Sequence, residues 1–309
     1  METVEPRHSL RVYLGMTAAV AALASSSIIV TSLEQREVAP IVVAFYRMAI
    51  ATLILAPVAI ATRRAETVAF ARHRIGIVVL SGFCLAVHFG AWIASLKYLP
   101  ISTSVVLVSS HPMLVVLASR FFLNEIPSRR SLAGIGLGLC GTAVVCWTGL
   151  KDLNQTLRGD LLALLGALAL CGYVIIGRKS RTRVTLLAYV TPVYLLCSLL
   201  LIAGVIVSNA RLFPYGRTEW LGFGLLALVP TVFGHTLMNW ALRYVRASVV
   251  SAAFLGEPVL ASVLALIFFE QAPGWSTVIG GSLILIGIYL TTSASRPLQA
   301  RSNKPNRPS

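Results

Sequence analysis

Two titratable residues lie within long apolar segments and could bind a charged solute or a proton. Glu257 occurs in the stretch AFLGEPVLA, where an ionised carboxylate is costly and usually faces the protein interior or a watery cavity. A carboxylate at this depth can take up a proton when its environment changes, which would couple proton entry to solute exit. Alternatively, Glu257 has a structural role, and either satisfies backbone groups freed by Pro258 or pairs with an arginine.

His111 lies 146 residues before Glu257, and both residues directly precede a proline, Pro112 and Pro258. An internal repeat makes the two positions equivalent, so their side chains are expected to face each other near the middle of their segments. Histidine can titrate near neutral pH, but a neutral imidazole bonded to a neighbouring serine hydroxyl is equally plausible. Both prolines are predicted to bend their helices, either as static kinks or during gating.

A third charged residue, Arg47, lies about seven residues into the second apolar segment. At this depth its side chain cannot comfortably reach the outer surface. Arg47 could neutralise Glu257 or hold the carboxylate of a substrate through a two-pronged hydrogen bond. A structural ion pair, or a helix that lies near the membrane interface, would explain it equally well.

Two further sets of polar and aromatic residues could line a cavity that binds aromatic or amphipathic solutes. His88 and Trp92 are four residues apart and therefore share one face of a helix. His235, Asn239 and Trp240 form a similar set in a later segment. The competing interpretation, favoured for each residue taken alone, is interfacial anchoring by the tryptophans and hydrogen bonding between helices by the polar side chains.

The segments that carry these residues are long and apolar. Of the 309 residues, 57% are hydrophobic and only 12% are charged, whereas soluble domains contain about 25% charged residues. A helix needs about 20 apolar residues to cross a bilayer. The sequence therefore predicts an all-α integral membrane protein with ten transmembrane helices, at residues 12–30, 40–62, 75–95, 102–121, 132–150, 161–176, 186–207, 220–242, 248–269 and 277–292.

The formal net charge of +15 would suggest a nucleic-acid partner in a soluble protein. The positions of the basic residues explain it better, and no nucleic-acid partner is expected. If the N-terminus is cytoplasmic, 19 of the 26 Lys and Arg residues lie on inner segments and 6 lie on outer segments. The positive-inside rule then predicts that both termini are cytoplasmic.

Several classes of chemistry lack their sequence signatures. The five cysteines all fall within apolar segments without CxxC or histidine spacing, so they are interpreted as small buried apolar residues, and neither disulfides nor a metal site is expected. No Walker sequence GxxxxGK[ST] is present, so ATP hydrolysis is not expected. HExxH and GxSxG are also absent, and we expect neither a catalytic residue nor a cofactor.

The chain contains an internal repeat with a spacing of 146 residues, which aligns residues 96–144 with residues 242–290 without a gap. The matches include Pro112 with Pro258, Gly134 with Gly280, and Gly141 with Gly287. Each half holds five predicted helices, an odd number, so the second half must enter the membrane in the opposite orientation. Inverted repeats of this kind are typical of secondary transporters.

The fifth and tenth predicted helices are rich in glycine. Glycine-lined faces allow two helices to approach closely. Packing within the fold or formation of a homodimer would explain them.

The segments SVVLVSSHPMLVVLASRFFLNEIP (residues 104–127) and GHTLMNWALRYVRASVVSAAFLGEPVLASVLALIFFEQAP (residues 234–273) resemble the EamA-type transporters of the drug/metabolite transporter superfamily. In that family the fourth and ninth helices carry a proline and then an acidic residue at the membrane edge, and Glu125 and Glu270 match those edge residues. The resemblance implies two EamA repeats, at residues 1–150 and 151–293, around a central cavity. Residues 294–309 are predicted to form a disordered basic cytoplasmic tail.

The resemblance implies a secondary transporter in the inner membrane of a bacterial or archaeal cell. Such a protein exports small metabolites such as amino acids, or amphipathic drugs, by alternating access. Its expected partners are the lipid bilayer, a small-molecule substrate and, if transport is coupled, protons. The alternatives are a membrane receptor, which would bind a ligand without moving it, and a membrane-embedded enzyme.

Overall fold

The protein is described here from a computed structural model, which covers residues 6–122, 128–147, 156–254 and 256–293. Glu125 and the predicted tail at residues 294–309 lie outside these ranges. The described residues form ten helical segments. In chain order they are α1 (Pro6–Glu34), α2 (Pro40–His73), α3 (Ile75–Leu96), α4 (Ile101–Phe122), α5 (Arg129–Cys146), α6 (Thr156–Arg181), α7 (Leu186–Val207), α8 (Arg217–Ala241), α9 (Ala247–Phe269) and α10 (Trp275–Ser293).

Eight of these segments are long and apolar enough to cross a membrane. The other two are α5, which spans 18 residues, and α10, whose apolar part Trp275–Leu290 is shorter. Large side chains such as Leu53, Phe83 and Ile267 are more than half exposed, which suits a surface that faces lipid. The prediction of an all-α integral membrane protein with ten helices in two inverted halves is confirmed.

The contacts between helices occur in pairs. Exchanging the two halves of the chain converts one contact of each pair into the other. Helix α3 packs against α6, and its counterpart α8 packs against α1. Likewise α4 packs against α6, and its counterpart α9 packs against α1. Helix α2 packs against α7, and α5 packs against α10. Each half therefore supplies half of a common core, as an inverted repeat requires.

Helices α5 and α10 approach each other through their glycines. A Cβ atom added to Gly287 would lie 2.5 Å from the carbonyl oxygen of Gly134, and one added to Gly280 would lie 2.6 Å from that of Gly141. Because residues later in α5 meet residues earlier in α10, the two helices run antiparallel. The 146-residue shift exchanges these two contacts, which is direct geometric evidence for the twofold relation. Close packing inside one chain uses these glycines, so they carry no argument for a homodimer.

This interface gives a first testable prediction. Gly141→Val places a side chain against the backbone of α10, whereas a Cβ added to Gly136 of the same helix meets nothing within 4 Å. We expect Gly141→Val to lower the stability by about 1–3 kcal/mol, because overpacking forces backbone shifts. Thermal unfolding of the detergent-solubilised protein, followed by size-exclusion chromatography, measures the effect. An equal loss of stability in Gly136→Val would contradict this account of the interface.

Helices α4 and α9 are each interrupted just before a proline, Pro112 in α4 and Pro258 in α9. Helix α4 breaks at Ser109 and Ser110, and a new helix starts at His111. Helix α9 has a turn at Phe254, and its second part starts at Gly256. The prolines thus lie in the first turn of a new helix, where their missing N–H costs nothing. At both interruptions, near the centre of the molecule, the backbone leaves the α-helical conformation.

Two details differ from the sequence-based expectations. Helix α2 continues to His73, beyond the apolar run that ends at Thr62, after a break at Arg63 (φ −142°, ψ 27°). The continuation carries Glu66, whose carboxylate accepts hydrogen bonds from the backbone N–H and the hydroxyl of Thr185. Cys140 is exposed rather than buried, because it lies on a face of α5 turned away from the other helices.

Candidate functional site

Seven helices surround one small cavity at the centre of the molecule. Its volume is about 20 Å³, measured as space for the centre of a water molecule, which is room for about one water. A cavity of this size is too small to hold a solute such as an amino acid. Its walls come from α1, α2, α3, α4, α6, α8 and α9, and they consist of Leu23, Ser26, Arg47, His88, Trp92, Val108, Ser109, His111, Leu170, His235, Phe254 and Glu257.

Arg47 is the most tightly held charged residue of the cavity. Its side chain is fully buried, its Nε donates to Oγ1 of Thr231 at 2.7 Å, and one terminal nitrogen donates to Oγ of Ser26 at 2.8 Å. Its guanidinium lies 4.1 Å from the centre of the Phe89 ring, close enough for a cation–π interaction. The other terminal nitrogen, Nη2, has no hydrogen-bond partner among the described residues. Both hydroxyl partners are neutral, so Arg47 keeps its full charge for a ligand.

The hydroxyl of Thr231 reaches Arg47 because α8 is wider than an α-helix at this point. Residues Ala227–His235 form π-helical turns around Pro230. The Thr231 hydroxyl donates to the carbonyl oxygen of Leu226, five residues earlier, at 2.8 Å and accepts from Arg47. π-Helical turns are frequent at functional sites, and this one fixes the direction of the guanidinium.

Glu257 lies at the start of the second part of α9 and lines the same cavity as Arg47. Its side chain is buried, with 8% exposure. The first turn of a helix favours a negative charge. Within the part of the chain that the structure describes, the backbone N–H of Glu257 donates to the carbonyl oxygen of Phe254, but its carboxylate makes no hydrogen bond, and no ion pair within 4.0 Å joins it to Arg47. A carboxylate and a guanidinium thus face one cavity without neutralising each other in direct contact.

His111 also lines the cavity and packs edge-on against the α9 turn, with its ring centre 4.9 Å from that of Phe254. Its Nδ1 is 3.2 Å from the carbonyl oxygen of Val108. Because a carbonyl can only accept, Nδ1 carries the proton and Nε2 is an acceptor. Nε2 is buried, and no described residue donates to it. His111 therefore presents a second acceptor to the cavity that Glu257 also lines.

His88, Trp92 and His235 form the aromatic wall of the cavity. The rings of His88 and Trp92 are nearly parallel at 6.1 Å, and His235 lies edge-on to His88 at 6.0 Å. Nδ1 of His88 donates to the carbonyl oxygen of Gly166 at 2.9 Å. Nε1 of Trp92, a donor, has no partner among the described side chains and backbone groups. This wall can pack against an apolar or aromatic portion of a ligand.

Two residues proposed from the sequence do not line the cavity. The side-chain nitrogen of Asn239 donates to the hydroxyl of Tyr173 at 2.7 Å and to the carbonyl oxygen of His235 at 2.8 Å. Trp240 packs against Gly15 and Tyr244. Asn239 is one helical turn beyond His235. Trp240 is five residues beyond His235, and at about 100° per residue its side chain is rotated by about 140° from that of His235. Asn239 instead belongs to a layer of hydrogen-bonded polar side chains that lies on one side of the cavity.

That polar layer closes the cavity on the side predicted to be cytoplasmic. The Tyr194 hydroxyl lies 3.2 Å from that of Thr236, and the Tyr189 hydroxyl lies 2.6 Å from that of Ser81. Farther from the cavity on the same side, the guanidinium of Arg181 is buried and donates to the backbone carbonyl oxygens of Asn239 and Val184. These bonds join α3, α6, α7 and α8, and they must break for a solute to pass this way.

Aromatic residues close the opposite side. Tyr46 stacks on Phe223 with ring centres 4.6 Å apart and meets Trp220 edge-on at 5.0 Å. The Tyr46 hydroxyl donates to the carbonyl oxygen of Leu212 at 2.9 Å. The described residues therefore occlude the cavity from both sides.

Sequence reasoning missed the hydroxyls of Ser26 and Thr231. Ser26 lies in a run of three serines, Ser25–Ser27, and Thr231 follows Pro230 in the middle of a span. A polar residue beside a proline at mid-span was the one available signal. The three histidines and Glu257 line one cavity, yet the described residues contain no group of three or more His, Cys, Asp or Glu that could hold a metal ion.

Comparisons with known proteins agree with this architecture. The model of the EamA-like transporter family matches the chain twice, at residues 11–147 and 157–293. An uncharacterized transporter from Archaeoglobus fulgidus is 24% identical over 276 residues, which cover 87% of this chain and 93% of the relative. A probable amino-acid metabolite efflux pump from Salmonella typhimurium is 24% identical over 239 residues, which cover 73% of this chain and 80% of the relative.

A solved crystal structure has the same fold, with a TM-score of 0.70 and 21% sequence identity, and the match covers 94% of this chain and 99% of that chain. The family and the relatives are transporters rather than enzymes. The two family matches together span most of the residues. The chain therefore belongs to the EamA-like transporter family and is an integral membrane transporter of small molecules.

Proposed function

We propose that this protein exports small amphipathic zwitterions, such as amino acids, by alternating access coupled to protons. One observation carries the proposal: Arg47 and Glu257, which are of opposite charge and form no ion pair within 4.0 Å, line one buried cavity with an aromatic wall. Nη2 of Arg47 suits a substrate carboxylate, whereas Glu257 and Nε2 of His111 suit an ammonium group. Trp92 and Phe254 would contact the apolar side chain.

Closure of the cavity supports alternating access. Room for about one water is too little for an amino acid, so the two halves must separate on one side to admit a solute. The interruptions of α4 and α9 supply bending points beside the cavity. We assign the halves to residues 1–150 and 151–293 and place both termini in the cytoplasm of a bacterial or archaeal cell, as the distribution of Lys and Arg predicts.

Proton coupling would use Glu257. A protonated carboxyl group loses its attraction for a substrate ammonium, so proton entry from the outer side would favour release of the solute there. The carboxylate would then return its proton to the cytoplasm and bind the next solute. Proton and substrate would thus compete for one site.

An efflux assay tests the proposal. Cells that express the protein, or carry empty vector, are loaded with a panel of labelled amino acids, organic cations and organic anions, with and without a protonophore. We expect efflux of at least one zwitterion above the vector level, abolished by the protonophore. Efflux of organic cations alone, insensitive to the protonophore, would contradict the proposal. A ligand bound tightly but never moved would favour the receptor alternative.

A further inference from the structure

A second site lies away from the central cavity, where α3 begins and α6 ends. A pocket of about 690 Å³ at this place is lined by four basic residues, Arg74, Arg178, Lys179 and Arg183, together with the hydroxyls of Ser180 and Thr182. Arg178 is committed to a backbone contact, since it donates to the carbonyl oxygen of Leu242. Arg74, Lys179 and Arg183 are exposed and can turn toward a ligand. The pocket is therefore strongly attractive to an anion.

One acidic residue, Glu66, lies next to this pocket, and its single negative charge offsets at most one of the four positive charges. The carboxylate of Glu66 accepts two hydrogen bonds from Thr185, at 2.7 Å from the backbone nitrogen and 2.6 Å from the hydroxyl. Glu66 thereby caps the start of α7. The surplus of positive charge in the pocket remains.

An apolar groove of about 640 Å³ continues from the basic pocket along the outside of α3, α4 and α6. The pocket and the groove share Ile77, Lys179 and Ser180, so they are one continuous surface. The ammonium of Lys179 lies at the junction, 5.7 Å from the ring of Phe122. Below that junction, the groove walls are apolar side chains and small residues such as Leu80, Leu168 and Gly172.

The length of the groove matches one leaflet of a bilayer. On α6 it extends from Lys179 to Leu168, eleven residues or about 16 Å at 1.5 Å per residue. Half of the hydrocarbon core of a bilayer is about 15 Å. Because the basic pocket is at the helix ends, it lies at the level of the lipid headgroups when the groove lies beside the acyl chains.

From this arrangement we propose that the pocket and groove form a binding site for one anionic phospholipid. The phosphate binds to Arg74, Lys179 and Arg183, and an acyl chain lies in the groove between α3, α4 and α6. Basic pockets between membrane helices on the cytoplasmic side are suited to anionic headgroups. This site is separate from the transport cavity, and the proposal does not depend on which solute is carried.

Lipid titration of the purified full-length protein, followed by native mass spectrometry, tests the site. The probes are phosphatidylglycerol and phosphatidylcholine with the same acyl chains. We expect one phosphatidylglycerol to bind more tightly than phosphatidylcholine, with an affinity that falls as salt rises. Equal affinities for the two lipids, or no salt dependence, would overturn the proposal. Because this comparison uses the unaltered protein, it does not depend on the folding of any variant.

Charge variants locate the headgroup. The triple variant Arg74→Gln, Lys179→Gln and Arg183→Gln is expected to weaken phosphatidylglycerol binding by about fivefold per charge removed. The matched control replaces Arg64, Arg129 and Arg130 by Gln; these residues are exposed and do not line the pocket. Equal weakening in the two triple variants would show that the preference is a property of net charge, and would overturn the assigned site.

A groove variant separates a lipid from a small anion. Gly76 lines the groove, and a Cβ added to it meets nothing within 4 Å, so Gly76→Leu places a side chain in groove space. We expect it to weaken phosphatidylglycerol binding, whereas Gly136→Leu, on α5 outside the groove, has no effect. If inorganic phosphate displaces the lipid at equal concentration, or if Gly76→Leu binds phosphatidylglycerol normally, the site is a simple anion pocket and the lipid proposal is wrong.

Discussion

Arg47→Lys is expected to abolish most transport of zwitterionic solutes while the protein still folds. The guanidinium uses Nε and one terminal nitrogen to bind Thr231 and Ser26, and it keeps Nη2 for a ligand. A lysine ammonium is a single point charge and cannot hold both hydroxyls and a carboxylate in this geometry. Loss of a hydrogen bond to a charged group costs about 1.5–3 kcal/mol, so the apparent affinity should fall by roughly 10- to 100-fold.

Measurement of the concentration dependence of transport in proteoliposomes tests this prediction. Arg64→Lys is the matched control, because Arg64 is exposed and does not line the cavity. An apparent affinity unchanged in Arg47→Lys would show that Arg47 is purely structural. A purely structural role would also lower the thermal stability without changing the preference between a zwitterion and the corresponding amine, so both quantities should be measured.

Glu257→Gln is expected to abolish accumulation against a gradient but to preserve exchange of solute. Glutamine keeps the size of the side chain and its carbonyl acceptor, but it carries no charge and cannot release a proton. The variant is expected to bind solute with a lower affinity, because the ammonium group loses a charged partner, but Arg47 still binds the substrate carboxylate, so at saturating concentration one solute molecule can be exchanged for another. We therefore expect solute counterflow to persist, whereas efflux driven by a pH gradient falls to the level of empty liposomes.

Glu270→Gln is the control for the same helix, since Glu270 lies just past the end of α9 and is exposed. It should leave both counterflow and proton-driven transport unchanged. Proton-driven transport by Glu257→Gln at the rate of the unaltered protein would assign Glu257 a structural role. Loss of counterflow even at saturating solute would show that the carboxylate is indispensable for substrate binding, and would contradict the expected separation of exchange from proton-driven transport.

The sequence was sufficient to predict the fold because the constraints of a membrane are strong. The lengths of the apolar runs predicted the helices. The shared register of Gly134 with Gly280 and of Gly141 with Gly287 indicated the repeat, and the odd number of helices in each half predicted its inversion. Helix ends were less predictable. The continuation of α2 past Thr62 depends on surface contacts such as that between Glu66 and Thr185, which no local pattern reveals.

The candidate site was predicted in part, because rare charges within apolar segments are conspicuous. Six of the eight proposed binding residues line one cavity: Arg47, His88, Trp92, His111, His235 and Glu257. Their roles in binding and proton transfer remain predictions. The hydroxyl partners of Arg47 could not be foreseen, because Thr231 reaches it only through the π-helical turns of α8. Serines and threonines are too common in membrane helices for their type alone to identify them.

The most direct test of the central claim compares three solutes that share one side chain: an amino acid, its decarboxylated amine and its deaminated acid. Counterflow of each is measured in proteoliposomes that contain the unaltered protein or Arg47→Gln. If Arg47 and Glu257 bind opposite ends of one solute, the unaltered protein should move the amino acid far faster than either analogue, and Arg47→Gln should lose that preference over the amine. Equal transport of the amine and the amino acid by the unaltered protein would contradict the proposed site.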